Sequence, residues 1–200
     1  MTPAIVFYFD FSSPYSYIAC HQIEALAKRH GRVVDWRPML LGAVFQTTGG
    51  KPLVDIPLKG DYSKRDFARS AHLAKLAFKL PTVFPISTVN AARATLWVKQ
   101  HAPTRTGDFI RAASAAYFAQ DRAINDIGVI HDIAAGLGLD ADAVTAGIQD
   151  PVIKDALKAA NNDALARGVF GAPFMFVDDE PFWGQDRLAQ LEHWLAHGPF

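Results

Sequence analysis

The feature that most constrains this fold is the separation of two strand-forming ends by a long stretch with only helical patterns. A continuous run of β-branched and aromatic residues at 5–9 predicts a strand buried on both faces, and residues 174–177 form a second such run. Residues 62–168 show only the apolar spacing of helices. We therefore predict one α/β domain from residues 1–61 and 169–200, with residues 62–168 as an all-helical insertion.

The amino-terminal unit carries clear signals for where its elements begin and end. Ser12–Pro14 predicts a helix start, because serine is a good N-cap and proline is favoured at the first helical position. Gly31 predicts the end of that helix, and residues 33–38 predict a second strand that ends at its proline. Residues 42–60 are rich in Gly and Pro, so we predict a loop there.

The carboxyl-terminal unit returns to strands before a last helix. Residues 174–177 predict a strand, 178–180 a tight turn, and 182–183 a short partner strand. Asp186 is predicted to be the N-cap of a helix over residues 187–196, whose leucines form one apolar face.

Charge and cysteine content exclude several classes of function. The 20 basic and 20 acidic residues cancel and form no block of like charge, which argues against a nucleic-acid partner and a polybasic membrane patch. No segment approaches the roughly 20 apolar residues of a membrane span. Cys20 is the only cysteine, so no internal disulfide is possible, and we expect a cytoplasmic protein with Cys20 as a buried, inert thiol.

Two backbone features are candidate ligand sites. Ser13 and Pro14 stand where a strand enters a helix, and the free amides at such a junction stabilise anions; alternatively, Ser13 is only an N-cap. Pro173 begins a predicted strand. If its peptide bond is cis, Ala172 turns its N–H and C=O outward, where they can pair with an extended, peptide-like ligand.

Two side-chain features near the end of the chain are further candidates. Asp186 can pair with the ammonium group of a ligand, in addition to capping a helix. His193 and His197 have a spacing that can bind zinc, but no third ligand of suitable spacing accompanies them. We therefore predict no metal site.

These motifs together resemble a known family. Three motifs resemble those of the kappa-class glutathione transferases and the related 2-hydroxychromene-2-carboxylate isomerases. They are Ser-Pro-Tyr-Ser at 13–16, Gly-Ala-Pro at 171–173 and Trp-Gly-Gln-Asp-Arg-Leu at 183–188. The resemblance covers essentially the whole chain, and the tail from 169 to 192 is more similar to the isomerases. It implies a thioredoxin-like fold of the DsbA-like branch and a homodimer.

The resemblance also shows which chemistry the chain has lost. In DsbA-like redox enzymes, the slot occupied here by Ser13 and Ser16 is Cys-x-x-Cys. A serine hydroxyl forms no disulfide, so redox catalysis by the protein itself is excluded at this site. Ser13 can instead hold a thiolate supplied from outside, because hydrogen bonding favours ionised sulfur. The implied donor is glutathione.

The resemblance assigns residues to the middle of glutathione. Ser13 is the catalytic residue that activates the sulfur, and Pro14 and Tyr15 shape the pocket around it. Ala172 pairs its backbone with the cysteinyl part, immediately before a cis Pro173.

Further residues are assigned to the two ends of glutathione. Gln185 and Asp186 hold the γ-glutamyl end, and Lys59 matches a lysine near the glycine end. The chain departs from the transferases at Gly50, where they have an asparagine, so one polar contact is absent.

The implied activity is glutathione-dependent cis–trans isomerisation in the breakdown of aromatic compounds, with a small aromatic substrate. Phe11, Phe45 and Phe84 are candidates for an apolar substrate pocket. Two alternatives stay open. One is a kappa-like glutathione transferase, which releases a conjugate, and the other is a non-catalytic module that binds glutathione or a peptide.

Overall fold

The strands at the two ends of the chain form one sheet, as predicted. A computed structural model describes residues 4–200. Strand β1 (Ala4–Phe9) lies in the centre, parallel to β2 (Val33–Pro38) and antiparallel to β3 (Phe174–Val177), and β4 (Glu180–Trp183) is antiparallel to β3. The order β2–β1–β3–β4 therefore joins residues that are about 170 positions apart in sequence, such as Val6 and Phe176.

The connection between β3 and β4 is the predicted tight turn. Asp178 and Asp179 both have positive φ angles, 50° and 71°, and aspartate is among the residues that tolerate this backbone region best. Asp178 also forms a bidentate ion pair with Arg32, at 2.8 and 2.9 Å. This pair ties the turn to the segment that leads into β2.

Helices and the loops that join them make up the rest of the described chain. The ten α-helices are α1 (Pro14–Cys20), α2 (Ile23–Arg29), α3 (Leu41–Thr48), α4 (Lys59–Leu73), α5 (Val89–His101), α6 (Thr106–Phe118), α7 (Ile127–Gly136), α8 (Ala141–Gln149), α9 (Pro151–Ala166) and α10 (Leu188–His197). Short 3-10 turns occur at Leu53–Asp55, Pro103–Arg105 and Gln185–Arg187. Residues 62–168 are all described and contain no strand, which confirms the helical prediction for this stretch. The boundaries of the insertion as a subdomain stay a prediction.

Three predictions of local structure are wrong. The helix predicted to run to Gly31 is two helices, because the N–H groups of His21 and Gln22 donate to carbonyls three residues back and end α1. The loop predicted at 42–60 contains α3, whose Val44 is buried, and Gly49 ends that helix with a φ of 72°. Asp186 is not an N-cap, since it lies inside the 3-10 turn that precedes α10.

The sheet separates two apolar layers. Alternate residues of β1 (Ile5, Phe7 and Phe9) face the larger core with α1, α2 and α6. Tyr8 lies in a smaller core with Val44 of α3 and Ala164 of α9. Cys20 is buried in the larger core, as predicted. Within residues 4–200, none of the helices has both the length and the apolar character that a membrane span requires.

Candidate functional site

A cleft of about 980 Å³ lies beside the carboxyl end of β1. Its walls come from the β1–α1 junction, the start of α3, the 51–54 segment, α4 and residues 84–89. Residues 170–172, before β3, and residues 183–187, at the end of β4 and after it, complete them. Six predicted site residues line it, namely Ser13, Pro14, Tyr15, Ala172, Gln185 and Asp186. The structure thus brings residues from both ends of the chain to one cavity.

The Ser13 side chain makes two hydrogen bonds. Its Oγ accepts from the Ser16 N–H at 3.1 Å, which confirms the predicted N-cap of α1. The same hydroxyl donates to the Ala172 carbonyl at 2.9 Å, across 159 residues of sequence. A ligand sulfur can therefore take the Ser13 hydrogen only if the hydroxyl turns away from Ala172.

The Ala172–Pro173 peptide bond is cis, as predicted. The expectation that both Ala172 backbone groups are free is only half right, because its carbonyl accepts the Ser13 hydrogen bond. The Ala172 N–H has no acceptor among residues 4–200. This N–H is thus available to a ligand in the cleft, which Ala172 lines. Pro173 itself is buried and does not contact the cleft.

Tyr15 connects α1 to α4 inside the cleft. Its hydroxyl donates to Asp66 Oδ2 at 2.7 Å, and its ring packs edge-on against Phe67 with centroids 5.1 Å apart. Burial raises the pKa of Tyr15, and the hydrogen bond to Asp66 raises it further, so the phenol keeps its proton. Asp66 was missed from the sequence, where it is one of many charged residues on a helix.

Asp10, which was also missed, is a buried carboxylate at the end of β1. Its Oδ1 accepts from the Ser12 N–H and the Thr88 hydroxyl, each at 2.8 Å, and its Oδ2 accepts from the Leu41 N–H at 2.6 Å. Burial raises the pKa of Asp10, while these hydrogen bonds oppose the rise. Asp10 therefore fixes the starts of α3 and α5 against the β1–α1 junction. An aspartate immediately after a buried strand was the available sequence signal.

The segment with Gln185 and Asp186 is attached to the cis-proline region. The Gly184 N–H donates to the Pro173 carbonyl at 3.0 Å. Trp183 is half-exposed on the cleft wall and covers Gly171 so closely that a Cβ there would lie 2.5 Å from the indole nitrogen. Gly171 is thus required for Trp183 to pack in this position.

Lys59, predicted near the glycine end of glutathione, lies outside the cleft. Lys59 begins α4 with an exposed side chain that does not line the cleft, whereas Lys51 lies on the cleft wall. Gly50 has a steric reason for its identity, because a Cβ there would lie 2.6 Å from the Phe45 ring. An asparagine at this position requires Phe45 to move.

Two of the three predicted aromatic pocket residues line the cleft. Phe45 and Phe84 are on its walls, whereas Phe11 is buried in the larger core. His193 and His197 have ring centroids 4.6 Å apart. In the described chain, from residue 4 onward, no group of three His, Cys, Asp or Glu side chains could hold a metal ion.

The fold agrees with the family that the sequence matches. The DSBA-like thioredoxin domain family matches residues 4–196, which is nearly the whole chain. This protein therefore belongs to the DsbA-like thioredoxin family, and the fold class predicted from its motifs is confirmed.

Individual relatives within this family are more specific than the family match. The chain is 34% identical over 197 residues to a 2-hydroxychromene-2-carboxylate isomerase of Sphingobium xenophagum, covering 98% of this chain and 99% of the relative. It is 25% identical to glutathione S-transferase kappa 2 of Caenorhabditis elegans, over 98% of this chain and 92% of that protein. A solved structure of a 2-hydroxychromene-2-carboxylate isomerase superposes with a TM-score of 0.88 at 26% identity, covering 96% of this chain and 94% of the other. The resemblance predicted from the motifs is thus confirmed.

Proposed function

We propose that this protein is a glutathione-dependent cis–trans isomerase that acts on 2-hydroxychromene-2-carboxylate or a similar aromatic compound. The observation that supports this most is the meeting of Ser13, Ala172, Gln185 and Asp186 on the walls of one cleft. Three relatives that are 30–34% identical over more than 90% of this chain bear the name of this isomerase. A homodimer and a cytoplasmic location stay predictions of the resemblance.

Two features of the cleft support glutathione as the ligand. The Ala172 N–H, which has no acceptor in the described chain, suits the cysteinyl backbone. Asp186 and Gln185 also line the cleft, and the Asp186 carboxylate suits the γ-glutamyl ammonium group. Lys59 has no comparable support as a contact to the glycine end.

When bound, glutathione supplies a thiolate that adds reversibly to a conjugated enone, so that a double bond becomes single and rotates. The protein's part is to favour the ionised sulfur and to hold the substrate. Ser13 favours ionisation by donating its hydroxyl hydrogen to the sulfur instead of to Ala172, since hydrogen bonding to the charged form lowers a pKa. Phe45 and Phe84 provide apolar walls for the aromatic ring.

Product analysis distinguishes this proposal from the two alternatives. Purified protein is mixed with the chromene carboxylate and glutathione, and both isomers and total free glutathione are measured with time. Isomerisation above the free-thiol rate with glutathione unchanged supports the proposal. Loss of one glutathione per product indicates a transferase, and a rate equal to that of free glutathione indicates a binding module.

A further inference from the structure

Three carboxylates line the cleft, and they differ in the partners that their oxygens have. Asp10 accepts three hydrogen bonds, and Asp186 lies 3.4 Å from the Arg187 guanidinium. Asp66 Oδ2 accepts from Tyr15, but Asp66 Oδ1 accepts no hydrogen bond from residues 4–200. Asp186 is the carboxylate proposed above for the γ-glutamyl ammonium, so Asp66 is the further cleft carboxylate with an oxygen that no hydrogen bond from residues 4–200 occupies.

The nearby cation does not satisfy that oxygen. Arg69 Nε lies 3.9 Å from Asp66 Oδ1, which is too long for a hydrogen bond, and 56% of the Arg69 side chain is exposed. The Asp66 side chain is 24% exposed and lies on the cleft wall. A hydrogen-bond donor on a ligand can therefore reach Oδ1 without breaking a strong ion pair.

The surroundings of Asp66 indicate what kind of ligand brings that donor. Aromatic rings line the cleft on α1, on α4 and on the segment before α5, namely Tyr15, Tyr62, Phe67 and Phe84. A carboxylate oxygen only accepts hydrogen bonds when it is ionised. An aromatic compound with a hydroxyl group matches both the rings and the acceptor oxygen.

We propose that Asp66 binds the hydroxyl group of the aromatic substrate and acts as the general base that opens its ring. This inference rests on the function proposed above, whose substrate has a hydroxyl and a ring oxygen on the same carbon. The hydroxyl O–H bond breaks and its proton goes to Asp66 Oδ1, while the bonding pair forms a C=O. The C–O bond to the ring oxygen breaks, and its pair stays on the phenolate. Asp66 then returns the proton to that phenolate, so the opened enone is an isomer of the substrate.

Tyr15 positions the carboxylate for this step. Its hydroxyl holds Oδ2 at 2.7 Å, while Oδ1 accepts no hydrogen bond from residues 4–200. Because burial and the Asp66 bond raise the pKa of Tyr15, the phenol stays a donor throughout the neutral range. In an Asp66→Asn variant, the amide oxygen still accepts from Tyr15, so the link between α1 and α4 is retained.

The test compares two substrates in Asp66→Asn and in a matched control. The first substrate is 2-hydroxychromene-2-carboxylate, and the second is the open cis enone with the phenol O-methylated, which has no ring to open. Asp61→Asn is the control, since Asp61 lies on the same helix with 92% of its side chain exposed. We expect Asp66→Asn to slow turnover of the chromene about a hundredfold and leave turnover of the methoxy enone unchanged. Asp61→Asn leaves both unchanged.

Two results overturn the inference while the proposed function stands. If Asp66→Asn turns over the chromene at the wild-type rate, Asp66 is not the general base. An equal loss on both substrates shows that Asp66 acts through the fold.

Failure of the proposed function is recognised separately. In that case the wild-type protein, with glutathione present, does not accelerate isomerisation of the methoxy enone. Tryptophan fluorescence without glutathione then tests Asp66 directly, with 2-hydroxycinnamate and 2-methoxycinnamate as probes. Tighter binding of the hydroxy probe that Asp66→Asn abolishes supports the inference, and equal binding of the two probes by the wild type overturns it.

Discussion

Replacing Ser13 with alanine removes two hydrogen bonds from the folded protein and, in the proposed reaction, the one to the ligand sulfur. Loss of the N-cap costs about 1 kcal/mol, and loss of the bond to the Ala172 carbonyl costs about another 1 kcal/mol. A total of about 2 kcal/mol corresponds to a fall in Tm of roughly 4–8 °C for a chain of this size. The variant therefore melts earlier but stays folded at 25 °C.

The catalytic effect of Ser13→Ala is separate from this loss of stability. A hydrogen bond to a charged group contributes roughly 1.5–3 kcal/mol, so we expect turnover to fall about ten- to a hundredfold. Glutathione affinity falls less, because Ala172, Gln185 and Asp186 hold the remainder of the tripeptide. The assay measures Tm, turnover per folded molecule, and the pKa of the bound thiol from its thiolate absorbance.

Ser16→Ala is the matched control, because it removes the other serine hydroxyl of the same motif. The Ser16 Oγ is buried without a hydrogen-bond partner in the described chain, and Ser16 does not line the cleft. We expect its removal to leave turnover unchanged and stability equal or higher. If Ser13→Ala melts earlier yet keeps wild-type turnover and an unshifted thiol pKa, Ser13 is only a helix cap and the reasoning is refuted.

Three further predictions follow from the contacts around the cleft. Gly171→Ala displaces Trp183, so we expect weaker glutathione binding by calorimetry with little change in Tm; unchanged affinity contradicts this role. Asp10→Asn places an amide NH₂ against the Leu41 N–H, so we expect the free energy of unfolding, measured in urea, to fall by about 1–3 kcal/mol. An unchanged free energy of unfolding contradicts a structural role for the Asp10 hydrogen bonds. Burial raises the pKa of Cys20, so thiol reagents should react only as fast as urea unfolds the protein, and rapid labelling of the folded protein contradicts burial.

The parts of this fold that were predictable are those specified by local pattern. The continuous apolar run at 5–9 identified the central strand, and Ser13 followed by Pro14 identified the start of α1. Helix α3 was missed because residues 42–60 are rich in Gly and Pro, whereas this short helix depends on burying Val44 in the smaller core. Tertiary packing decided the structure there.

The residues of the cleft were predictable only where they belong to a local sequence motif. Ser13, Ala172, Gln185 and Asp186 were proposed because their neighbours in sequence form recognisable motifs, and all four line the cleft. Asp66 was not found, because its role depends on a tyrosine 51 residues away. The same holds for Asp10, whose partner Thr88 is 78 residues distant. Neither pairing is visible in a single sequence, although the position of Asp10 directly after a strand is.

A crystal structure with bound glutathione tests the central claim most directly. We predict that the sulfur lies within about 3.5 Å of the Ser13 Oγ, that the Ser13 hydroxyl no longer donates to the Ala172 carbonyl, and that the Ala172 N–H pairs with the cysteinyl backbone. A structure in which glutathione binds with its sulfur away from Ser13, while Ser13 keeps its 2.9 Å bond to Ala172, contradicts the account.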